Sequence, residues 1–135
     1  MGTMIPSLGA IEVVTLFVDD FQATRDFYRN VFAAEPVYAD KVSEVLKFGG
    51  LLVNLLQSTE APELVKPCPV APAESGTRML LTVKVENTDA VCAALARHGV
   101  ILLNGPIDRP WGRRTAAFAD PAGHVWEIAQ EIPVA

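Results

Sequence analysis

Ile11-Glu12-Val13-Val14-Thr15-Leu16-Phe17-Val18-Asp19-Asp20 is the stretch from which the fold is read. Up to Val18 it is rich in β-branched side chains, and it stops at two aspartates, as a strand does where it enters a turn. Phe21, Ala23, Phe27, Tyr28, Val31 and Phe32 then recur at helical spacing across residues 21–32, and Asp20 stands where a helix needs an N-cap. Residues 35–39 and 44–48 read as short strands, Gly49-Gly50 as a tight turn, and 51–57 as another strand. The order is β-α-β-β-β.

That order returns further along. Residues 79–85 read as a strand. Residues 89–98 read as a helix with Ala90, Val91, Ala94 and Leu95 on one face and Gly99 as its C-cap. Residues 100–103 and 115–119 read as short strands, Asp120-Pro121-Ala122-Gly123 as a type I turn, and 125–130 as the closing strand. The two halves also align residue by residue. Leu16-Phe17-Val18-Asp19-Asp20 matches Val83-Lys84-Val85-Glu86-Asn87, and Val53-Asn54-Leu55-Leu56-Gln57 matches Trp126-Glu127-Ile128-Ala129-Gln130. Two copies of a unit that cannot bury its own sheet face imply that the modules pair. The expected organisation is one α+β domain: an extension at 1–10, a βαβββ module at 11–57, a connector at 58–77 and a second βαβββ module at 78–131. A second methionine at position 4 marks 1–3 as an addition from expression. The connector holds Pro62, Pro67, Pro69 and Pro72, and reads either as a passive link or as a flap over a pocket.

Bulk properties narrow the function classes. The 135 residues are 50% hydrophobic and 20% charged, enough for a packed core and a soluble surface without a disulfide or a metal. The formal net charge of -5 has the wrong sign for phosphate backbones and anionic membranes, which sets nucleic acid aside and weakly favours cationic or neutral partners. No apolar run approaches the ~18 residues of a membrane span, and the first residues do not read as a signal peptide. Cys68 and Cys92 form no CxxC pair and are expected to be free thiols in a reducing cytoplasm.

Strand parity separates two faces. Val14, Leu16 and Val18, Val53 and Leu55, Leu81, Val83 and Val85, and Trp126 and Ile128 form an entirely apolar set, expected against the helices. The other face is mixed: Val13, Thr15 and Phe17; Leu52, Asn54 and Leu56; Leu80, Thr82 and Lys84; Val125, Glu127 and Ala129. Its large apolar members, Phe17, Leu52, Leu56 and Leu80, favour a cavity lining over an open surface.

The opening motif Val14-Thr15-Leu16-Phe17-Val18-Asp19-Asp20 with Asp26-Phe27-Tyr28-Arg29-Asn30-Val31-Phe32 resembles that of glyoxalases, bleomycin-resistance proteins and extradiol dioxygenases. So does the tail, Pro110-Trp111-Gly112-Arg113-Arg114 followed by Phe118-Ala119-Asp120-Pro121-Ala122-Gly123-His124-Val125-Trp126-Glu127. These families form the vicinal oxygen chelate superfamily, and the tail looks most like its antibiotic-binding branch. The resemblance runs from about Ile11 to Gln130 and implies curved mixed sheets enclosing a cleft, in a homodimer. Metal-using members draw ligands from positions that here hold Val13, Asn54, Leu80 and Glu127. Two of these have no donor atom, whereas such catalytic sites take three or more protein ligands. No metal or other cofactor is therefore expected unless a partner chain supplies donors.

Two functions follow from different classes. The first is a metal-independent binder of an antibiotic-like or aromatic small molecule. Its expected contacts are Trp111, Arg113, Thr15, Phe17, Asn54, Leu56, Leu80, Thr82, Tyr38 and Phe48, with Trp111 stacking on a flat ligand. The second is a lyase or isomerase acting on a small oxo-acid or thiol adduct, with Glu127 as base or metal ligand. Glu127 also has a plainer reading, an old ligand position satisfied by Asn54, Thr15 or Lys84. His98 and His124 fall at no ligand position.

Overall fold

The computed structural model describes residues 5–134. The reading of 1–3 as an addition from expression lies outside the described residues. The chain divides into two compact units, Met1–Val70 and Ala71–Ala135, with the division inside the proline-rich connector.

The first unit contains β1 (Val13–Val18), α1 (Phe21–Val31), β2 (Glu35–Ala39), β3 (Ser43–Phe48) and β4 (Leu51–Gln57). Its sheet runs β1-β4-β3-β2, with β1 parallel to β4 and the other pairs antiparallel. α1 starts where the sequence provides a cap, since the Asp20 carboxylate accepts from the Ala23 amide at 3.0 Å. Phe21, Thr24 and Tyr28, three and four residues apart, form its buried stripe. The core beneath is Leu16, Val18, Leu46, Val53 and Leu55, all essentially inaccessible to solvent. Tyr28 stacks on Phe32 at 5.1 Å between ring centroids.

One charge is buried with this core. Glu44 on β3 is fully inaccessible, and the Arg29 guanidinium of α1 forks onto it, with Nε 3.1 Å from Oε2 and Nη2 bonded to Oε1. A carboxylate removed from water needs such a charged, bidentate partner. The Glu44 hydrogen bond pushes the pKa of Arg29 above its ordinary value.

The connector is less featureless than its prolines suggest. It contains a 3-10 turn at Ser58–Glu60, a single helical turn α2 (Pro62–Val65) and a further 3-10 turn at Ala73–Ser75.

The second unit repeats the pattern with β5 (Leu80–Lys84), α3 (Thr88–Arg97), β6 (Asn104–Arg109), β7 (Arg113–Ala119) and β8 (Val125–Glu131), in the order β5-β8-β7-β6. β5 is parallel to β8 and the rest are antiparallel. Asn87 caps α3 through the Ala90 amide at 3.0 Å. Thr88 ties the same end to the sheet: its hydroxyl donates to the Arg114 carbonyl at 2.7 Å, and its backbone N–H donates to the Gln130 amide oxygen at 2.9 Å. Phe118, Trp126, Ile128, Ala116 and Leu95 fill the core. The buried Asp120 carboxylate holds the turn before β8, accepting from the amides of Ala122 and His124, each at 2.9 Å. The fold is α+β, built from two βαβββ modules.

One strand is displaced from its sequence expectation. Residues 100–103 do not form a strand. The Val100 amide instead closes the end of α3 on the Leu95 carbonyl at 3.0 Å, and β6 starts only at Asn104. The apolar run at 100–103 suggested pairing. Pro106 is tolerated because β6 is the outer strand, where a missing donor leaves no neighbour unsatisfied. The register shifts between Asn104 and Ile107, as it does between Pro36 and Tyr38 in β2.

Two substitutions test this packing. Leu55→Ala is expected to cost about 2–5 kcal/mol of unfolding free energy, seen as a lower urea midpoint at unchanged slope. Gly105→Ala is expected to destabilise as well, because Gly105 has φ +95° and a Cβ there would lie 2.5 Å from the Thr115 carbonyl oxygen. A wild-type midpoint for either variant would contradict the packing described.

Candidate functional site

Each sheet packs a helix on one face, so the candidate residues are sought on the other. In the first unit, register places Thr15 beside Asn54, Asn54 beside Val45, and Val45 beside Tyr38, which makes one row across the sheet. The flanking rows are Val13, Leu52, Lys47 and Glu35 on one side and Phe17, Leu56 and Ser43 on the other. The structure thus gathers Thr15, Asn54, Tyr38, Phe17 and Leu56 on the helix-free face. The Asn54 amide oxygen is buried and has no hydrogen-bond partner. The Tyr38 hydroxyl donates to Asp40 at 2.8 Å. Asp40 is held below its ordinary pKa, chiefly by the Val42 amide and next by that hydroxyl, and the Tyr38 phenol is pushed up by the same bond.

Phe48 departs from expectation. It shares the parity of Glu44 and Leu46, which places it on the helix side, and its ring lies 5.6 Å from that of Phe32. It is a packing residue, and the cleft-lining role foreseen for it is withdrawn.

The second unit is more polar on its helix-free face. One row is Thr82, Glu127, Ala117 and Asn104; the next is Lys84, Ala129, Thr115 and Ile107; the last is Glu131, Arg113 and Arg109. Leu80 lies at the start of β5, half exposed at 50%, beside Val125. Glu127 accepts a hydrogen bond from the Thr82 hydroxyl at 3.1 Å. Lys84, considered above as its partner, instead faces Glu131 at 3.4 Å, and Arg113 approaches the same Glu131 oxygen at 3.7 Å. Strand parity explains the change, since Lys84 lies one row beyond Glu127, in the direction of Glu131.

Trp111 occupies the turn between β6 and β7 and is 66% exposed. The Arg109 guanidinium lies 5.9 Å from its ring centroid, within cation–π range. Arg109 also donates from Nε to the Thr115 hydroxyl at 2.9 Å and from Nη2 to the Asn104 amide oxygen at 3.4 Å. Sequence reasoning missed Arg109, Asn104 and Thr115. The available signal was their symmetry about Pro110-Trp111-Gly112, which pairs Arg109 with Arg113 across the hairpin. Arg114, the other arginine of that motif, faces the helix side and bonds Asp89 and Asp108.

The positions aligned with metal ligands do not supply a metal site's donor set. Val13 and Leu80 are hydrocarbon side chains, Asn54 offers one amide oxygen and Glu127 one carboxylate. Among the described residues, no three His, Cys, Asp or Glu side chains come together as a metal set.

Residues 10–128 match the family model of the Glyoxalase/Bleomycin resistance protein/Dioxygenase superfamily. The chain belongs to this superfamily. The uncharacterized protein YraH of Bacillus subtilis (strain 168) is 29% identical over 119 residues, covering 85% of this chain and 93% of that protein. The crystal structure of a glyoxalase-related enzyme from Fulvimarina pelagi superposes with a TM-score of 0.79 at 25% identity, covering 90% of this chain and 88% of the other. That of lactoylglutathione lyase from Agrobacterium tumefaciens gives a TM-score of 0.72 at 22% identity, covering 90% and 92%. At that identity the likeness to the lyase speaks for the superfamily fold alone.

The acid limb of stability should depend on Asp40. A carboxyl whose folded pKa is lowered adds stability above its unfolded value, about 3.9, and that contribution fades as pH falls through the folded pKa. Urea midpoints measured from pH 5 downward should fall less steeply for Asp40→Asn than for the wild type. Parallel curves would remove the role given to the Asp40 hydrogen bonds.

Proposed function

We propose that this chain is a metal-independent binding protein for a flat, aromatic small molecule, which it holds against Trp111 on the helix-free face of the second sheet. The observation that carries the reading is the exposed Trp111 ring with the Arg109 guanidinium against it. A large exposed indole on a tight hairpin is a stacking platform, and a neighbouring guanidinium adds a hydrogen-bonding edge. The hydrocarbon side chains at two of the four aligned ligand positions support metal independence. The Pro110-Trp111-Gly112-Arg113 turn supports a place in the antibiotic-binding branch. A homodimer fits the edges of β1 and β5 that carry no partner strand among the described residues. A cytoplasmic location suits the two free cysteines, Cys68 and Cys92.

One observation favours a second reading, a lyase or isomerase. Glu127 retains a carboxylate at an aligned ligand position, with the Thr82 hydroxyl bonded to it. Under that reading Glu127 accepts a proton from a small oxo-acid or thiol adduct, and Glu127→Ala abolishes turnover.

Thermal unfolding against a panel of aromatic antibiotics and metabolites, with and without a chelator, separates the two. A ligand at a hundred times its Kd stabilises the native state by about 2.7 kcal/mol. The binder reading expects at least one such shift, unchanged by the chelator, lost in Trp111→Ala and retained in Glu127→Ala. No shift across the panel, or a bound divalent metal in stoichiometric amount that Glu127→Ala loses, would sink it.

A further inference from the structure

We infer that the ligand taken up at Trp111 is an anion, an aromatic carboxylate, and that Arg109 is the residue that selects it. The inference rests on the binding reading above and adds the chemical class of the ligand.

The case begins with how Arg109 is held. It is part-buried on the helix-free face, anchored by Nε to the Thr115 hydroxyl at 2.9 Å and by Nη2 to the Asn104 amide oxygen at 3.4 Å. Both acceptors are neutral. The other cations on the strands of this unit are placed differently. Arg114 is neutralised by Asp89 and Asp108, and Lys84 and Arg113 share Glu131. None of the ion pairs among the described residues includes Arg109. Neutral acceptors fix the direction of a guanidinium without cancelling its charge. They also leave its Nη1 edge free for the planar, two-point recognition of a carboxylate that a guanidinium provides.

The second part is position. The guanidinium is 5.9 Å from the Trp111 ring centroid, so a ring stacked on the indole would carry an acidic substituent within its reach. The carboxylates on the same face do not compete for it. Glu131, in the row of Arg109, is answered by Lys84 and Arg113, and Glu127, two rows away, is bonded by Thr82. The net charge of -5 acts in the opposite sense at long range. It slows the approach of an anion and leaves the local contact to decide which ligand stays.

The test is calorimetric titration of the full chain with three matched probes: 2-naphthoate, 2-naphthamide and 2-naphthylmethylamine. The naphthoate should bind about tenfold or more tighter than the amide, the size of a charge-assisted hydrogen bond, and the amine should bind weakest. Arg109→Gln should remove that preference, bringing the naphthoate down to the affinity of the amide, and Arg109→Lys should restore part of it. Asn104→Ala, which leaves the charge and removes one anchor, should weaken the naphthoate alone. Equal affinity for all three probes, with loss in Trp111→Ala, would overturn the selection by Arg109 and leave the binding reading standing. Absence of binding by all three would overturn both. Unfolding curves of each variant without probe confirm that a lost preference is not a lost fold.

Discussion

A sheet that packs a helix on one face only must keep two chemistries apart at a spacing of two residues, and every functional feature of this chain depends on that separation. Leu16, Val18, Val53 and Leu55 point one way and disappear under α1. Thr15, Phe17, Asn54 and Leu56 point the other way. A slip of one residue in any pairing would move Asn54 or Glu127 into the hydrocarbon and expose the core. The apolar parity set therefore does more than stabilise. It fixes the address of each polar group on the opposite face, and the ion pair of Arg29 with the buried Glu44 pins α1 over that set.

The two modules show how much a repeat constrains and how much it leaves free. Thr15 lies beside Asn54 in the first, and Thr82 lies beside Glu127 in the equivalent place in the second. The backbone gives each module the same hydroxyl next to the same strand position. The outcomes differ: the Thr82 hydroxyl bonds Glu127, whereas the Asn54 oxygen stays buried and unpartnered. The second module also gathers Arg109, Arg113, Lys84 and Glu131 on its helix-free face. The first has at that face mainly apolar and uncharged groups around Tyr38.

Most of this was legible in the sequence, for a physical reason. Period-two alternation, Asp20 as a helix cap and the helical spacing after it are local signals, and the elements they mark formed where they were expected. The failures share one cause. The apolar run at 100–103 looked like a strand, so β6 was placed too early. With β6 misplaced, the alternation that sets Arg109 across from Arg113 could not be applied, and the cation against Trp111 went unseen. Phe48 was assigned to the cleft without its parity, which already aligned it with Leu46. Hydrogen bonds such as Thr82 to Glu127 depend on pairing between strands 45 residues apart, which no local pattern encodes.

The bulged, proline-bearing outer strands have a consequence for how this protein meets other chains. β2 contains Pro36 and β6 contains Pro106, and in each the register shifts beside the proline. An incoming strand would find a missing donor and an irregular ladder at both. β1 and β5 have regular registers and no proline. Runaway edge-to-edge growth into fibrils requires two compatible edges on every sheet, and each sheet here offers only one. Such a chain can add a single neighbour per sheet and then stops, which gives protection against aggregation built into the backbone itself.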